Sequence, residues 1–323
     1  MIVYENGYIS PYFNLACEEY LLTGDCDEDI FMLWRNAPSV IIGRNQNAYA
    51  ELNLDFIKAN DIAVVRRLTG GGAVFHDLGN VNFTFITAKK DDTVLNFELF
   101  TQPIINVLRE LGAAAELSGR NDIVIGGHKI SGNAQCGHNG KIMHHGTLLF
   151  DANMSNLVDS LKVDKAKIES KGIKSIRSRV ANIKDFIGGE MDVIDFKTYI
   201  ENSIAAEHRI LSVGDAEMIQ KLADEKYSTW EWNYGQSKQY QYTNKKRYPY
   251  GAVEINLNVD AGYITDIRIN GDYFGLGDIS VLENRLIGLR YDSAEISDKL
   301  YDTENYIAGS TAKDLLDFIL NIM

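Results

Sequence analysis

The 323-residue chain lacks the features that define several protein classes. It has three cysteines, Cys17, Cys26 and Cys136, which cannot all pair with one another and whose spacing does not match a zinc site. No apolar run approaches the roughly 18 residues that a membrane-spanning helix requires. The first residues have no basic start and no signal-peptide core. These absences predict a reduced, cytoplasmic protein with no membrane association.

Basic charge is also scarce. The formal net charge is −13, from 45 acidic and 32 basic side chains, and a general nucleic-acid binder would instead carry a basic surface. We therefore expect no nucleic-acid partner. The acidic excess is concentrated in residues 251–323, which hold 13 acidic and 5 basic side chains. This uneven distribution predicts two domains, which we place at residues 1–245 and 246–323.

The common nucleotide-binding fingerprints are missing as well. The chain has no Gly-x4-Gly-Lys-Ser/Thr segment, and Gly275-Leu276-Gly277 lacks the third glycine of a dinucleotide-binding loop. No set of carboxylates and histidines at helical spacing indicates a metal centre. Strands follow one another and helices are grouped, which predicts an α+β fold. We expect a mixed or antiparallel sheet flanked by helices, with a small C-terminal α/β domain.

Local patterns predict several elements near the candidate site. Asn14 is a candidate N-cap for a helix over residues 15–22. Residues 31–35 and 39–43 read as consecutive strands joined by a turn. Apolar and polar residues alternate over residues 80–85, which predicts a half-buried strand.

The most informative segment covers residues 66–85, which read RRLTGGGAVFHDLGNVNFTF. The three glycines Gly70–Gly72 follow a β-branched run that ends in Arg66 and Arg67. Glycine lets the backbone turn sharply and approach a ligand closely, while paired arginines suit phosphate or carboxylate groups. The segment therefore predicts a ligand-binding loop in preference to an ordinary hairpin turn.

A second segment places a lysine between glycines. Asn121 and Asp122 precede a predicted strand, and Lys129 begins the next one, with glycines on either side. A lysine at the start of a strand is usually a solvated edge residue. The flanking glycines favour a binding role here, because they clear space for a ligand beside the ammonium group.

Two further groups of residues are candidates for chemistry, the adjacent histidines and the cysteines. His144 and His145 are adjacent in a predicted strand, so they point to opposite faces and at most one can face the site. Cys136 is the one thiol worth considering as a nucleophile, although an incidental loop thiol is the favoured interpretation. Cys17 is predicted to lie in the core, and Cys26 lies among acids that would raise its pKa.

Taken together, these segments resemble the lipoate–protein ligases of the biotin/lipoyl ligase and acyltransferase superfamily. The resemblance covers about residues 10–235, with a weaker likeness to that family's C-terminal accessory domain beyond. The matching segments are Trp34-Arg35, residues 42–47, 66–85, 119–123, 129–134 and 144–149, Lys171-Gly172-Ile173, Arg177-Ser178-Arg179-Val180 and residues 230–235.

The resemblance implies a two-step reaction with lipoate as substrate and ATP and Mg²⁺ as cofactors. Lipoate and ATP would give lipoyl-AMP and pyrophosphate, and a lysine of a lipoyl domain would then take the lipoyl group and release AMP. The implied partners are the lipoyl domains of 2-oxoacid dehydrogenase E2 subunits, the glycine cleavage H protein, or both.

The resemblance also implies roles for particular residues on the nucleotide side. Lys129 would be catalytic, contacting both the α-phosphate and the acyl carbonyl oxygen. Asn121 and Asp122 would orient Lys129, and Asp122 is the candidate Mg²⁺ ligand. The remaining ATP and lipoyl-AMP contacts would come from Arg67 and from the backbone at Gly72, Ala73, Val74 and Phe75.

The implied lipoate contacts lie on the same loop and on the histidine strand. They comprise Arg66, Gly70, Gly71, His145 and again Lys129.

Three alternatives stay open at this point. An octanoyl- or lipoyltransferase of the same fold would use a cysteine thioester, but its nucleophile lies after the strand matching residues 144–149, and the chain has no cysteine beyond Cys136. A biotin–protein ligase would need an arginine-rich loop that we do not find. A non-catalytic lipoate-binding homologue is disfavoured because Lys129, Arg67 and the Asn121-Asp122 pair are intact.

Overall fold

The computed structural model describes residues 1–26, 28–90, 93–161, 180–204, 206–235 and 240–322. The predicted family segments at residues 171–173 and 177–179 lie outside the described residues. The strands are β1 (Ile2–Glu5), β2 (Ile30–Trp34), β3 (Ser39–Ile42), β4 (Ala63–Arg66), β5 (Val74–His76), β6 (Asn80–Ala88), β7 (Ala115–Ser118), β8 (Asp122–Ile125), β9 (His128–His138), β10 (Lys141–Leu149), β11 (Glu207–Ile210), β12 (Tyr242–Tyr248), β13 (Gly251–Asp260) and β14 (Tyr263–Gly271). The α-helices are α1 (Pro11–Thr23), α2 (Ala48–Glu51), α3 (Leu54–Ala59), α4 (Phe97–Glu110), α5 (Met154–Asp159), α6 (Val193–Ser203), α7 (Val213–Leu222), α8 (Trp230–Asn233), α9 (Ile279–Leu286), α10 (Ser293–Ser297) and α11 (Ala312–Leu320).

An eight-stranded sheet forms the centre of the larger part of the molecule. Its strand order is β11-β1-β2-β6-β10-β9-β8-β7. The pairs of β1 with β11 and with β2 are parallel, and the other pairs are antiparallel. The sheet is therefore mixed and flanked by helices, which confirms the α+β prediction.

Strand β6 is buried on both faces. Its aromatic face, with Phe83 and Phe85, packs in one core with Phe100 of α4 and Phe196 of α6. On its polar face, Asn82 and Thr84 are each only 1% exposed. The prediction of a half-buried strand is wrong here, because helix α1 and a second sheet cover the polar face. Those buried polar groups need hydrogen-bond partners, and they find them around the candidate site.

The second sheet is small and carries the glycine loop. Its order is β4-β3-β5, with β3 parallel to β4 and antiparallel to β5. Strands β2 and β3 are consecutive as predicted, but they belong to different sheets. The chain crosses from one sheet to the other at residues 35–38, and the space between the sheets becomes the cleft described below.

Helix α1 begins earlier than the sequence predicted. Its N-cap is Ser10, whose side chain accepts from the Phe13 amide, and Pro11 occupies the first turn, a position that suits proline. Asn14 is not the cap. It is fully buried, and its side chain joins a hydrogen-bond chain that reaches the site.

The C-terminal part has its own sheet and core. Strands β12, β13 and β14 form an antiparallel sheet, and the buried residues of this part form a core cluster of their own. The predicted domain boundary near residue 245 falls within β12. This part touches the larger one at several points, including Asn45 O to the Gly271 amide at 2.8 Å and Arg44 to Asp278 at 3.2 Å. None of the described helices is long and apolar enough to cross a membrane.

Candidate active site

A cleft lies between the two sheets of the larger part, beside the glycine loop. It has a volume of about 140 Å³. The C-terminal part contributes one wall through Phe274. The other lining residues are Leu15, Trp34, Ile41, Arg67, Gly71, Gly72, Ala73, Val74, His76, Asn82, Asn121, Lys129, Gly132, Asn133, Ala134, His145, Gly146 and Thr147.

Arg67 supports the glycine loop from inside. Its side chain is buried, and its Nη2 donates to the carbonyls of Gly70 at 2.7 Å and Gly72 at 2.8 Å. Gly71, between them, has a φ of +92°, which a side chain at that position would adopt only with strain. Burial lowers the pKa of Arg67 to about 10, so it stays charged at neutral pH. The loop is thus built around a fixed positive charge.

Lys129 lies on the opposite wall of the cleft. Its Nζ is 2.7 Å from Oδ1 of Asp122, and both side chains are more than a third exposed. A Cβ added at Gly132 would lie 3.0 Å from the Lys129 Nζ, so glycine there leaves room for the ammonium group. Asn121 is tied to Asn133 by reciprocal hydrogen bonds of 2.8 and 3.0 Å. Lys129 and Asn121 thus both line the cleft, and Asp122 is the ion-pair partner of Lys129; the roles that the sequence predicts for them stay predictions.

A buried polar network connects the loop to helix α1. Thr69 Oγ1 accepts from Arg67 Nε at 2.9 Å and lies 2.7 Å from His145 Nε2. The other ring nitrogen of His145 is 2.9 Å from Glu18 Oε1, and Thr84 donates to the same oxygen at 2.6 Å. Nothing in the sequence assigned Glu18 to the site. With Glu19, it looks like one of two glutamates near the start of a helix, where acidic side chains favourably face the helix dipole.

The two adjacent histidines face opposite sides, as predicted. His145 lines the cleft. His144 points into the core, stacked on Phe100 with ring centroids 4.9 Å apart. Burial lowers its pKa well below the usual value, so His144 is a neutral core residue.

Four residues that the sequence predicts for the site do not line the cleft. One is Asp122, which lies beside it as the ion-pair partner of Lys129, and the others are Arg66, Gly70 and Phe75. Arg66 is fully buried, and among the described residues its guanidinium group donates to backbone carbonyls, those of Gly43, Arg44, Gln46, Trp232 and Asn233. Gly70 faces the C-terminal part, where an added Cβ would lie 2.4 Å from the Tyr273 carbonyl oxygen. Phe75 packs into the core beneath the small sheet. Arg66 is the last residue of β4, and the Arg67 amide continues the pairing with β3 by donating to the Ile42 carbonyl. Consecutive residues of extended chain alternate in direction, which sends Arg66 into the fold and its neighbour Arg67 towards the cleft.

Comparison with known proteins identifies the family. A family model described as the lipoyl protein ligase A/B catalytic domain matches residues 10–205, and one described as the bacterial lipoate protein ligase C-terminus matches residues 237–319. Lipoate-protein ligase LplJ of Bacillus subtilis is 46% identical over 330 aligned positions, covering 99% of this chain and 100% of LplJ. The chain belongs to the lipoate–protein ligase family.

Solved structures match nearly the whole chain or about three quarters of it. LipL1 of P. falciparum, solved in complex with lipoate, has a TM-score of 0.79 at 28% identity, covering 99% of this chain and 98% of that one. A lipoate-protein ligase A bound with ATP has a TM-score of 0.61 at 30% identity, covering 73% and 98%. A bipartite ligase of Thermoplasma acidophilum, studied with its E2 lipoyl domain, has a TM-score of 0.65 at 31% identity, covering 74% and 98%.

The described residues that line the ligase cleft include no carboxylate that could hold a metal ion. Within the described ranges, no group of three or more His, Cys, Asp and Glu side chains could hold a metal. Asp122 is the carboxylate nearest Lys129, and one carboxylate together with substrate phosphates is a usual way to bind Mg²⁺. The site therefore fits a magnesium ion that arrives with a nucleotide.

Cys136 is separated from the ligase cleft. It lines a different cavity, together with residues of the C-terminal part such as Leu276. Burial raises the pKa of its thiol to about 12, and the charge of Glu18 acts in the same direction. A thiol in this state is a poor nucleophile at neutral pH, since the thiolate is the reactive form.

We expect the ligase variant Cys136→Ser to keep nearly full lipoyl transfer activity. Serine removes the sulfur atom that a thioester mechanism would need. Activity should persist because Cys136 is not among the residues that line the cleft. The measurement is the rate of acyl transfer to a lipoyl domain, with the partly exposed Cys26→Ser as the matched control. A collapse of transfer in Cys136→Ser alone would restore the thioester mechanism.

Proposed function

We propose that the protein is an ATP-dependent lipoate–protein ligase that carries out both steps of lipoylation. Membership of the family supports this, as do relatives solved with lipoate and with ATP. The single observation that carries the proposal is the cleft itself. A partly exposed lysine on one wall faces a glycine loop that is held by a buried arginine on the other.

The first step joins two anions, and this cleft is suited to that task. A carboxylate oxygen of lipoate attacks the α-phosphorus of ATP, the bond between that phosphorus and the bridging oxygen breaks, and pyrophosphate leaves. Repulsion between the carboxylate and the phosphates must be cancelled, and negative charge builds up on the oxygens in the transition state. Lys129 supplies a mobile positive charge for this purpose. Asp122 would be the protein carboxylate that holds Mg²⁺, and the ion would neutralise part of the phosphate charge.

We assign the two ends of the cleft to the two substrates. Arg67 and the backbone at Gly72, Ala73 and Val74 lie on the nucleotide side. The apolar lining residues Leu15, Trp34 and Ile41 suit the lipoate tail, and we assign the lipoate end to them. Burial of apolar surface there contributes about 25 cal/mol per Å². Gly71 and His145 border the same end.

The second step transfers the acyl group to protein. The ε-amine of an acceptor lysine attacks the carbonyl carbon of the mixed anhydride, an amide bond forms, and AMP leaves. Lys129, next to the acyl oxygen, stabilises the negative charge that develops on it. The proposed acceptors are lipoyl domains of 2-oxoacid dehydrogenase E2 subunits, the glycine cleavage H protein, or both. We place the reaction in the cytoplasm, since the three cysteines are unpaired.

The test is a pyrophosphate-release assay with ATP and Mg²⁺, run with and without lipoate. We expect release that depends on lipoate, followed by transfer to an added lipoyl domain or H protein. A thioester transferase would move an acyl group from an acyl-carrying donor without ATP. A binding protein would retain lipoate and release no pyrophosphate, and either result would contradict the proposal.

A further inference from the structure

His76 has one ring nitrogen without a partner at the wall of the cleft. The residue ends β5 and is 3% exposed, and it is among the lining residues. Its Nδ1 is 3.1 Å from Asn36 Nδ2. Its Nε2 is buried and has no hydrogen-bond partner among the described residues. A buried polar atom in this position is costly unless a ligand or water completes it.

A chain of side-chain amides decides which nitrogen of His76 carries the hydrogen. Asn14 Nδ2 donates to the backbone carbonyls of Tyr8 and Arg35, at 3.0 and 2.9 Å. Carbonyls only accept, so this contact fixes the orientation of the Asn14 amide. The same Nδ2 lies 2.9 Å from Asn36 Oδ1, so its two hydrogens are shared among three acceptors. The Asn36 amide must then turn its own NH2 group towards His76.

The tautomer of His76 follows from this orientation. Because the Asn36 NH2 group donates, His76 Nδ1 accepts, and a neutral imidazole carries its hydrogen on the other nitrogen. The ring is kept neutral because burial, together with the electrostatic effects of Arg67 and His145, lowers the pKa of His76 to about 3. The unpartnered Nε2 is therefore a hydrogen-bond donor at physiological pH.

The two other buried histidines near the cleft differ from His76 in this respect. His144 has Gln135 at 3.1 Å and Asn133 at 3.3 Å from its two nitrogens. His145 has Thr69 and Glu18. Both nitrogens of each of these rings have a hydrogen-bond partner within the protein. Burial alone therefore does not explain why a nitrogen of His76 has none among the described residues. His76 combines a fixed donor with a place on the cleft wall.

We propose that His76 is a substrate-binding residue whose Nε2–H donates to an acceptor oxygen of the substrate in the cleft. This inference rests on the proposed function and extends it to a residue outside the loop and lysine contacts. The acceptor is a carboxylate oxygen of lipoate or an oxygen of the nucleotide. A neutral donor suits either one, because it adds a directional contact beside the charges that Arg67 and Lys129 already supply.

The tautomer can be tested without any substrate. In ¹⁵N-labelled protein, the imidazole nitrogens of His76 should show the hydrogen on Nε2, with the assignment made by its loss in His76→Gln. Lipoate and a non-hydrolysable ATP analogue are then added in separate titrations. We expect one of the two compounds to shift the Nε2 signal, and that compound carries the oxygen to which His76 donates. A hydrogen on Nδ1, or a signal that neither compound moves, would overturn the proposal.

Two variants of His76 distinguish the effect of losing the Nε2–H donor from the effect of losing the volume of the ring. In His76→Gln, the side-chain amide can place an NH2 group near the position of Nε2. In His76→Asn, the amide oxygen can still accept from Asn36, but no group reaches the Nε2 position. We expect kcat/KM for lipoate-dependent pyrophosphate exchange to fall about 10- to 100-fold in His76→Asn and to recover largely in His76→Gln. The dissociation constant of the compound that shifts the Nε2 signal should rise in parallel.

The exposed His208 provides the distant control, because it lies on β11 and pairs with Glu5. His208→Asn should leave exchange unchanged. Equal losses in His76→Asn and His76→Gln, or none in either, would overturn the donor role. Absence of lipoate-dependent exchange in the unaltered protein would instead contradict the proposed function, and the titrations with lipoate and the ATP analogue would then decide the role of His76 by themselves.

Discussion

Replacing Lys129 by alanine should lower lipoate-dependent pyrophosphate exchange by about 10²–10³-fold, since losing one donor to a developing oxyanion has an effect of this size. The ammonium group lies at the cleft wall beside Asp122, and no second lysine is among the lining residues. The folded structure should survive, because the side chain is 39% exposed. The measurement is isotope exchange between pyrophosphate and ATP, with the melting temperature recorded in parallel.

A matched control for this experiment is Lys184→Ala. Lys184 is 46% exposed and forms a 2.7 Å ion pair with Asp151, so it has the same type of partner and a similar environment outside the cleft. Removing an exposed ion pair of this kind changes stability by about 0–1 kcal/mol. Exchange should be unaffected in Lys184→Ala. Normal exchange in Lys129→Ala would remove Lys129 from the mechanism.

Replacing Arg66 by methionine should lower the free energy of unfolding by about 3 kcal/mol or more, because buried carbonyls left without a donor each cost about 1–3 kcal/mol. The guanidinium group holds backbone carbonyls from the β3–α2 connection and from α8. Methionine fills similar space but has no donor. The measurement is denaturant unfolding, with lipoate affinity determined on the folded fraction.

The Arg66 result also decides between two roles. The sequence predicted a lipoate contact, whereas the described contacts of Arg66 are to the protein's own backbone. We expect unchanged lipoate affinity in the folded Arg66→Met variant. Arg247→Met is the control, because Arg247 is 64% exposed and has one ion pair, to Asp272, and it should change stability by less than about 0.5 kcal/mol. Normal stability with weakened lipoate binding in Arg66→Met would restore the sequence prediction.

The sequence was sufficient for the parts of the site that are contiguous in the chain. The glycine loop, the Lys129 segment and the histidine strand each carry their signal within a short stretch, and strand alternation placed one histidine on each face. The mixed sheet also followed from the order of elements. In contrast, Asn14 was interpreted from its local position as a helix cap, although its side chain serves the chain of amides that reaches His76.

Other parts of the site depend on segments that are far apart in the sequence. Glu18 contacts His145, which is 127 positions away in the sequence, and Phe274 of the C-terminal part lines the cleft. Nothing in the local pattern around either residue differs from that of an ordinary helix or loop. These contacts arise when the sheets and the C-terminal part pack together.

By itself, the sequence determined the types of chemistry that this protein can perform, through a glycine loop, an isolated lysine and the lack of a later cysteine. Only the tertiary structure decided which of two adjacent arginines reaches the cleft and which nitrogen of His76 is left without a partner among the described residues. The reason is physical. The direction of a side chain and the protonation state of a buried ring depend on neighbours that folding brings together from distant segments.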